Sequence, residues 1–587
     1  MPNVVEYIRG KDAEVLSNPN SLWGFILVHL LLKSGVTEVV VSPGSRSTPL
    51  VIALERQDQM RVHCVLDERS AAFMALGLAK ASGNCVALIC TSGTAGANFY
   101  PAVIEASETN TPLLVLTADR PPELHGSHSG QTIDQQKLFG GYIRWYQELA
   151  VPSKSNRTMA VLLETIPYAV ERSNGPQAGP VQLNCPLGGA LIPGNGKLDD
   201  KFLPFLYEET YSQIAPRKSM QISVDDSSIK LPQKGIIIAG TVFSKMGKKE
   251  CVDLANLQNV TGWTIFADVM GPWRSNKNTF KQKLITQFDC ILRNENIAKA
   301  LKPEFIIQIG QLPTSKTLRG WLEQNKLPTA IIDNGAMSLD PLGRAATYYR
   351  ESIQSFSRRV TTTGKDLDYA QKWQGLESEV IEVVGSELNS ASPAFEGRFS
   401  KELFEKVPES LDVFIANGMI VRDAESFWYP TNKKQAFYYN RGANGIDGTL
   451  STAIGAALAS KGVCLFTGDL SFLHDTNGLL QAQNMSEHLS VVLMDNSGGG
   501  IFEHLPIAKR EDVFERYFGF PQNVHIETLC AAYGVRYQII HSVDEIENCF
   551  DDVETPGISI IHVTTNRRED AAYRKVLFNR IAENLTL

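Results

Sequence analysis

Short apolar, β-branched runs alternate with helix-patterned stretches along this chain. That alternation restricts it to βαβ units and parallel sheets. The pattern comes in three blocks. Strand-like runs at 38–41, 62–66, 85–90 and 113–116 form the first; 235–239, 305–309 and 330–332 the second; 413–416, 463–466, 491–494 and 558–563 the third. In the first block each run leads into a loop holding glycine, serine or an acid, and then into a helical pattern. The polar stretch 198–231 lacks periodicity and reads as a linker, and 366–395 reads as an acidic helix. The expected fold class is α/β, three domains at 1–195, 196–365 and 366–587, each a mostly parallel sheet flanked by helices.

A length of 587 residues accommodates three such layers, with 43% hydrophobic and 20% charged residues to build their cores and surfaces. The net charge of −8 argues against nucleic acid or an anionic membrane as partner. Nine cysteines, an odd number without a CxxC pair, point to reduced thiols rather than zinc ligands or a disulfide framework. The first residues carry acids and no apolar core, unlike a secretory signal. The most apolar stretch, 22–32, contains His29 and falls short of the roughly 20 residues that span a bilayer. The expectation is a cytoplasmic protein without membrane insertion.

In open parallel sheets ligands bind beyond the carboxyl ends of strands, so the loops after these runs are where chemistry is sought. One third-block run ends in Thr467-Gly468-Asp469-Leu470-Ser471, and another in Asp495-Asn496-Ser497-Gly498-Gly499-Gly500-Ile501-Phe502, placing Asn496 27 residues after Asp469. Either string alone is an ordinary turn signal. Together, the Asp469 carboxylate, the Asn496 amide and a carbonyl in the glycine run make a hard-oxygen set suited to Mg²⁺ on a diphosphate. The glycines let backbone N–H groups approach phosphates closely. The pair of strings resembles the thiamine-diphosphate fingerprint. That resemblance asks for a glutamate at a strand end in another block, and the string from His63 to Ser70 offers Glu68. Seen alone, an acid at that place is a helix cap.

Four further strings narrow the family: Ser42-Pro-Gly-Ser-Arg-Ser-Thr-Pro, Thr91-Ser-Gly-Thr-Ala-Gly, Thr117-Ala-Asp-Arg-Pro-Pro and Asn440-Arg-Gly-Ala-Asn-Gly-Ile-Asp-Gly. Through blocks one and three, and more loosely through block two, the chain resembles the 2-succinyl-5-enolpyruvyl-6-hydroxy-3-cyclohexene-1-carboxylate synthases of menaquinone biosynthesis. The resemblance implies a pyrimidine-binding domain, a central domain and a diphosphate-binding domain. It also implies thiamine diphosphate with Mg²⁺ or Mn²⁺ as cofactors, 2-oxoglutarate and isochorismate as substrates, and a homodimer or homotetramer.

By the same resemblance Glu68 would hydrogen-bond the cofactor's aminopyrimidine ring. Asp469, Asn496 and the Gly498 carbonyl would hold the metal. Ile446, Leu470, Ser471, Ile501 and Phe502 would line the cofactor, Arg46, Arg120, Gln131 and Lys316 would hold isochorismate, and Arg422 and Arg441 would hold 2-oxoglutarate. Ser45 would place a hydroxyl near the reacting atoms, and Gln131 would polarise or protonate the new bond. Taken one at a time, each arginine reads as a solvated charge, and Ile446, Ile501 and Phe502 as routine packing. Leu470, Asp495, Gly418, Thr317 and Gly130 depart from the family pattern, and His125 and His128 beside the Arg120 loop read as structural or solvated. Another carboligase of the same cofactor class, such as an acetohydroxyacid synthase, is the alternative; it would want a small-acceptor site and FAD, for which block two has no motif. A nucleotide-binding scaffold is the other, and the lone Gly498–Gly500 run lacks the Lys-Ser/Thr pair of a phosphate loop.

Overall fold

The computed structural model describes residues 18–153, 155–194, 227–242, 247–335, 337–392 and 394–587. The chain divides into two compact units, Met1–Gln221 with Asn440–Ala459, and Ile222–Tyr439 with Ser460–Leu587.

The first unit holds a six-stranded sheet: β1 (Glu38–Val41), β2 (Arg61–Cys64), β3 (Val86–Cys90), β4 (Leu113–Asp119), β5 (Trp145–Glu148) and β6 (Pro180–Pro186), in the order β2-β1-β3-β4-β6-β5. All its pairs are parallel. β1, β3, β4 and β6 are buried along their whole length, as strands covered on both faces must be. That burial explains why most of them read as unbroken apolar runs. The apolar stretch near residue 25 becomes the helix Pro19–Lys33, capped by Asn18 and buried from Asn20 to Leu31. It contributes Leu22, Ile26 and Leu30 to the same core as Val39, Ile89, Leu114 and Leu183.

The second unit carries two larger sheets. The central one, β8 (Gly235–Ala239), β9 (Thr264–Ala267), β10 (Phe305–Ile309), β11 (Thr329–Ile332) and β12 (Thr347–Tyr349), runs β12-β11-β10-β8-β9. A small parallel pair joins β7 (Ile229–Leu231) to β13 (Val360–Thr362). The expected linker thus ends in a strand, while its residues 198–226 lie outside the described residues. The last sheet comprises β14 (Asp412–Ile415), β15 (Phe437–Tyr439), β16 (Val463–Gly468), β17 (His488–Asp495), β18 (Arg536–Ile540) and β19 (Gly557–Thr564), ordered β15-β14-β16-β17-β19-β18. Counted from its own first strand, that is the order of the first unit's sheet.

The expected acidic helix spans Leu367–Ser390 and packs into the core that the central and last sheets share. Its fully buried Trp373 meets Phe266 edge-on at 4.9 Å, and Phe266 stacks on Phe288 at 5.5 Å. Truncating such an aromatic costs about 3 to 5 kcal/mol. The sheets are also tied by a buried cation. Arg274 donates through Nε to the Ala267 carbonyl at 3.0 Å, and through Nη1 to the Glu425 and Trp428 carbonyls at 3.1 and 2.9 Å. Beside it the Glu425 carboxyl accepts from Ser315 N at 3.3 Å. Burial, and after it the charges of Asp268 and Asp289, push Glu425 up to about 8 against the pull of Arg274.

Each large sheet changes winding direction between an early pair of neighbouring strands: β1 and β3, β8 and β10, and β14 and β16. The crevice at such a switch point is where this architecture binds ligands.

Candidate active site

At the first unit's switch point the loops after β1 and β3 are in contact. Arg46 N donates to Thr91 Oγ1 at 3.1 Å. A Cβ on Gly44 would lie 2.2 Å from the Thr91 Cβ, so only glycine admits this approach. Ser45, exposed, and Arg46, half-buried, sit on the short turn Ser45–Ser47, and Arg46 Nη1 donates to the Leu187 carbonyl at 2.7 Å. The Arg46 guanidinium is lowered from its ordinary value, first by burial and then by the positive charge of Arg120, with Asp119 opposing. Two predicted substrate cations, 74 positions apart in sequence, thus share one locality.

Arg120 follows β4 and is set by its neighbours. Its N–H goes to Asp119 Oδ1 at 2.7 Å, its carbonyl oxygen lies 2.9 Å from His125 Nε2, and its Nε is buried without a hydrogen-bond partner among the described residues. Asp119 is in turn held by Asn184, whose Nδ2 donates to Asp119 Oδ2 at 2.8 Å and to Glu148 Oε2 at 3.0 Å. Gln135 closes the network, accepting from Gly93 N at 2.8 Å and donating to Asn184 Oδ1 at 3.1 Å. Sequence reasoning gave no role to Asp119, Gln135 or Asn184. The only signal for them is a polar residue inside or beside an otherwise apolar strand. Gln131 is exposed at a left-handed φ of 54°, its backbone lying against Gly93.

Glu68 opens the helix Glu68–Ser82, but Asp67 is the cap, accepting from Arg69 N at 2.8 Å and Ser70 N at 3.4 Å. The half-buried Glu68 is therefore free of capping duty. It lies close enough to the end of β3 that, after burial, its charge helps raise the Cys90 thiol well above its ordinary value. Arg441 and Ile446 belong to this unit as well, on the loop before the helix Thr449–Ala459. Glu105 anchors that loop, taking the N–H groups of Gly442 at 3.0 Å and Ala443 at 2.7 Å, with Lys80 Nζ 3.3 Å away. Ile446 is 37% exposed.

In the second unit β16 ends at Gly468, and Asp469, Leu470 and Ser471 start the short helix Asp469–His474. Asp469 and Asn496, each 5% exposed, are bridged through the glycine run: Gly498 N donates to Asp469 Oδ2 at 2.7 Å. Gly498 has φ 127°, and a Cβ there would fall 1.9 Å from the Gly519 carbonyl oxygen. Burial, then the adjacent Asp495, raises Asp469, while the N–H groups of Leu470 and Gly498 oppose the rise. Against its own burial, Asp495 is held low by His562 and the N–H of Ser497. The Asn496 Nδ2 donates to Glu396 Oε2 at 3.1 Å, whereas its buried Oδ1 has no partner among the described residues. An orphaned amide oxygen beside a buried carboxylate and a glycine cradle fits a hard cation and phosphate oxygens. Among the described residues no three His, Cys, Asp or Glu side chains are grouped to hold a metal. A cation here would therefore draw on amide and carbonyl oxygen besides Asp469.

Ile501 and Phe502 lie half-buried on the turn Gly500–His504, with Phe502 edge-on to Phe518 at 5.5 Å. Arg422 sits on the helix Ile420–Phe427, its Nη1 bonded to the Gly418 carbonyl, and burial lowers it from its ordinary value. Lys316 is exposed at the start of the helix Lys316–Asn325, behind the Ser315 cap. Desolvation, and after it the charges of Arg574, Arg422, Lys316 and Arg293, push His504 down to about 4. The structure therefore groups Arg46, Arg120, Gln131, Glu68, Arg441 and Ile446 in one unit, and Lys316 and Arg422 with the Asp469 and Asn496 set in the other.

Three family models match in succession: the N-terminal TPP binding domain of thiamine pyrophosphate enzymes over 23–138, the middle domain of thiamine pyrophosphate enzymes over 206–415, and the C-terminal TPP binding domain over 416–563. Among solved structures, benzoylformate decarboxylase from Polynucleobacter necessarius resembles the chain with a TM-score of 0.66 at 16% identity, covering 93% of this chain and 98% of that one. A thiamin diphosphate-dependent enzyme from Mycobacterium smegmatis resembles it with a TM-score of 0.62 at 15% identity, covering 93% and 99%. Fold and site thus define a thiamine pyrophosphate enzyme of three α/β domains. Curated relatives narrow the class: 2-succinyl-5-enolpyruvyl-6-hydroxy-3-cyclohexene-1-carboxylate synthases from Gloeothece citriformis and Trichormus variabilis are each 42% identical, covering 96% and 97% of this chain and 99% of their own length. The chain belongs to that synthase family.

Proposed function

We propose that the chain decarboxylates 2-oxoglutarate and joins the remaining four-carbon unit to isochorismate, giving 2-succinyl-5-enolpyruvyl-6-hydroxy-3-cyclohexene-1-carboxylate in the menaquinone pathway. Likeness along nearly the whole length of synthases carrying that product's name is the observation that carries this reading. When bound, thiamine diphosphate supplies a nucleophilic carbon and an electron sink. The chain's own residues do the rest. Glu68 would hydrogen-bond the aminopyrimidine ring and favour its imino form. Asp469, the Asn496 Oδ1 and the Gly498 carbonyl would hold Mg²⁺ or Mn²⁺ at the diphosphate, and Leu470, Ser471, Ile446, Ile501 and Phe502 would line the cofactor.

Both substrates are dicarboxylates, so the site needs fixed cations, and guanidinium forks suit carboxylates. Arg46 and Arg120, with Gln131 and Lys316, take isochorismate, and the mutual repulsion of Arg46 and Arg120 supports an anion between them. Arg422 and Arg441 take 2-oxoglutarate. Ser45 brings a hydroxyl to the reacting atoms, and Gln131 polarises or protonates the new bond.

The divisions 1–195, 196–365 and 366–587 are our assignment of the pyrimidine-binding, central and diphosphate-binding domains. A homodimer or homotetramer is supported by exposed apolar side chains on the first unit, Val62 at 40% and Leu66 at 67%. All nine cysteines are free, eight of them buried, which supports a reducing, cytoplasmic setting. No helix among the described residues is long and apolar enough to cross a membrane.

The deciding assay supplies purified protein, thiamine diphosphate and Mg²⁺ with 2-oxoglutarate plus isochorismate, and separately with pyruvate. Product is expected only from the first mixture. Turnover of pyruvate alone would replace this reading with an acetohydroxyacid-synthase-like one.

A further inference from the structure

Asn496 has two chemically opposite ends on one planar amide, and only the oxygen end can serve a cation. Nothing in the asparagine itself selects that end, so a neighbour must. Glu396, the first residue of the helix Glu396–Lys406, is 2% exposed and lies 100 residues away in sequence. Its Oε2 accepts from Asn496 Nδ2 at 3.1 Å. With Oε2 unprotonated, an amide turned over would set two oxygen atoms against each other in a buried place, which a dry interior penalises. The Nδ2 end also packs close to Gly500, where a Cβ would come within 2.8 Å of it. Oδ1 is left buried and unpartnered among the described residues.

Glu396 is itself immobilised. Its N–H donates to Asp570 Oδ1 at 3.1 Å, and its carboxyl lies within reach of the charges of Asp423 and Arg574, which pair with each other. The Arg574 guanidinium lies 5.3 Å above the Phe395 ring and 5.5 Å above that of Phe427. Asp423, Asp570 and Arg574 are all buried. This assembly does no chemistry in the mechanism above, yet its last member touches an expected metal ligand.

We propose that Glu396 is a positioning residue for the diphosphate site: its carboxyl oxygen fixes the Asn496 amide so that Oδ1 is presented to the divalent cation. The inference rests on the reading of Asn496 as a metal ligand, and the experiment separates the two. Asp423 is adjacent to Arg422 on the helix Ile420–Phe427, so the same assembly also anchors the helix that carries an expected substrate cation.

The test measures Mn²⁺ binding to the full-length protein with thiamine diphosphate present, by loss of the free-Mn²⁺ electron paramagnetic resonance signal, for wild type, Glu396→Leu, Glu396→Gln, Glu396→Asp and Asn496→Ala. Supporting residues of metal ligands are worth about 10- to 100-fold in affinity, so Glu396→Leu is expected to weaken Mn²⁺ by that factor, while Glu396→Gln, which keeps an acceptor of equal reach, stays within about threefold of wild type. Glu396→Asp keeps the acid but withdraws the acceptor by one methylene. It is expected to behave as the leucine variant does, and it serves in its place should the leucine variant not fold. Weakened binding in Asn496→Ala with wild-type binding in the Leu or Asp variant overturns the proposal alone. Equal weakening in Gln and Asp also overturns it, because the acceptor is then not the cause. Unchanged binding in Asn496→Ala overturns the metal-ligand reading and the proposal with it.

Discussion

Glu105 and Ala443 are joined across 338 residues of sequence by one hydrogen bond of 2.7 Å from backbone N–H to carboxylate. The same carboxylate takes Gly442 N and faces Lys80, whose ordinary pKa burial lowers and Glu105 partly restores. Replacing Glu105 by Ala removes the acceptor of two N–H groups and an ion-pair partner of Lys80 at once. Breaking a buried pair in this way costs about 3 to 5 kcal/mol, to be read as a lower urea midpoint. Glu105→Gln, which keeps an acceptor, is expected to lose less.

Glu68→Gln separates chemistry from structure. Asp67 caps the helix and Glu68 does not, so the variant should keep the wild-type circular dichroism spectrum and thermal midpoint. Loss of a group that manages a proton lowers turnover by about 10²- to 10⁴-fold. Steady-state turnover with saturating cofactor checks it; unchanged turnover would remove Glu68 from the mechanism.

Arg120→Ala addresses substrate rather than cofactor. A hydrogen bond to a charged group is worth about 1.5 to 3 kcal/mol, so KM for isochorismate should rise roughly 10- to 100-fold. Thiamine diphosphate affinity should stay at the wild-type value, because the cofactor ligands named above do not include Arg120. Asp119→Asn should move KM in the same direction by a smaller factor, since Asp119 acts by aiming Arg120. A change in cofactor affinity alone would reassign the loop.

Glu425 gives the fold a pH dependence of known sign. Its folded-state pKa of about 8 lies above the ordinary 4.5. The protonated form is favoured in the folded state, so its contribution is complete below the unfolded value and is lost as pH rises through the folded one. Wild type should therefore lose part of its stability between about pH 5 and 8, and Glu425→Gln should lose less over that interval. Thermal midpoints across the range measure it.

The strands legible in the sequence are those buried on both faces, because a covered parallel strand is a plain apolar run; β1, β8 and β10 are examples. β6 escaped notice although it is equally buried, since Gln182 and Asn184 interrupt its pattern and spend their amides on Gln135, Thr117, Asp119 and Glu148. β5 and β18 are edge strands of mixed composition and only partial burial. Asp469 and Asn496 could be singled out because each directly follows a recognisable strand. Glu396, Asp119 and Gln135 could not: their contacts are to neighbouring side chains and backbone, and spacing carries no trace of that. The capping ambiguity at Glu68 was likewise insoluble from sequence, where Asp67 and Glu68 are adjacent equals.

The shared strand order of the first and last sheets means that each loop of one has a counterpart in the other. The connection after the first strand carries Arg46 in one sheet and Arg422 in the other. After the second come Glu68 and the Arg441–Ile446 segment, after the third Thr91 and Asp469, and after the fourth Arg120 and Asn496. One connectivity is thus furnished twice with different side chains at equivalent stations. Each layer carries its own set of residues there, so a change at one station leaves its counterpart in the other layer untouched.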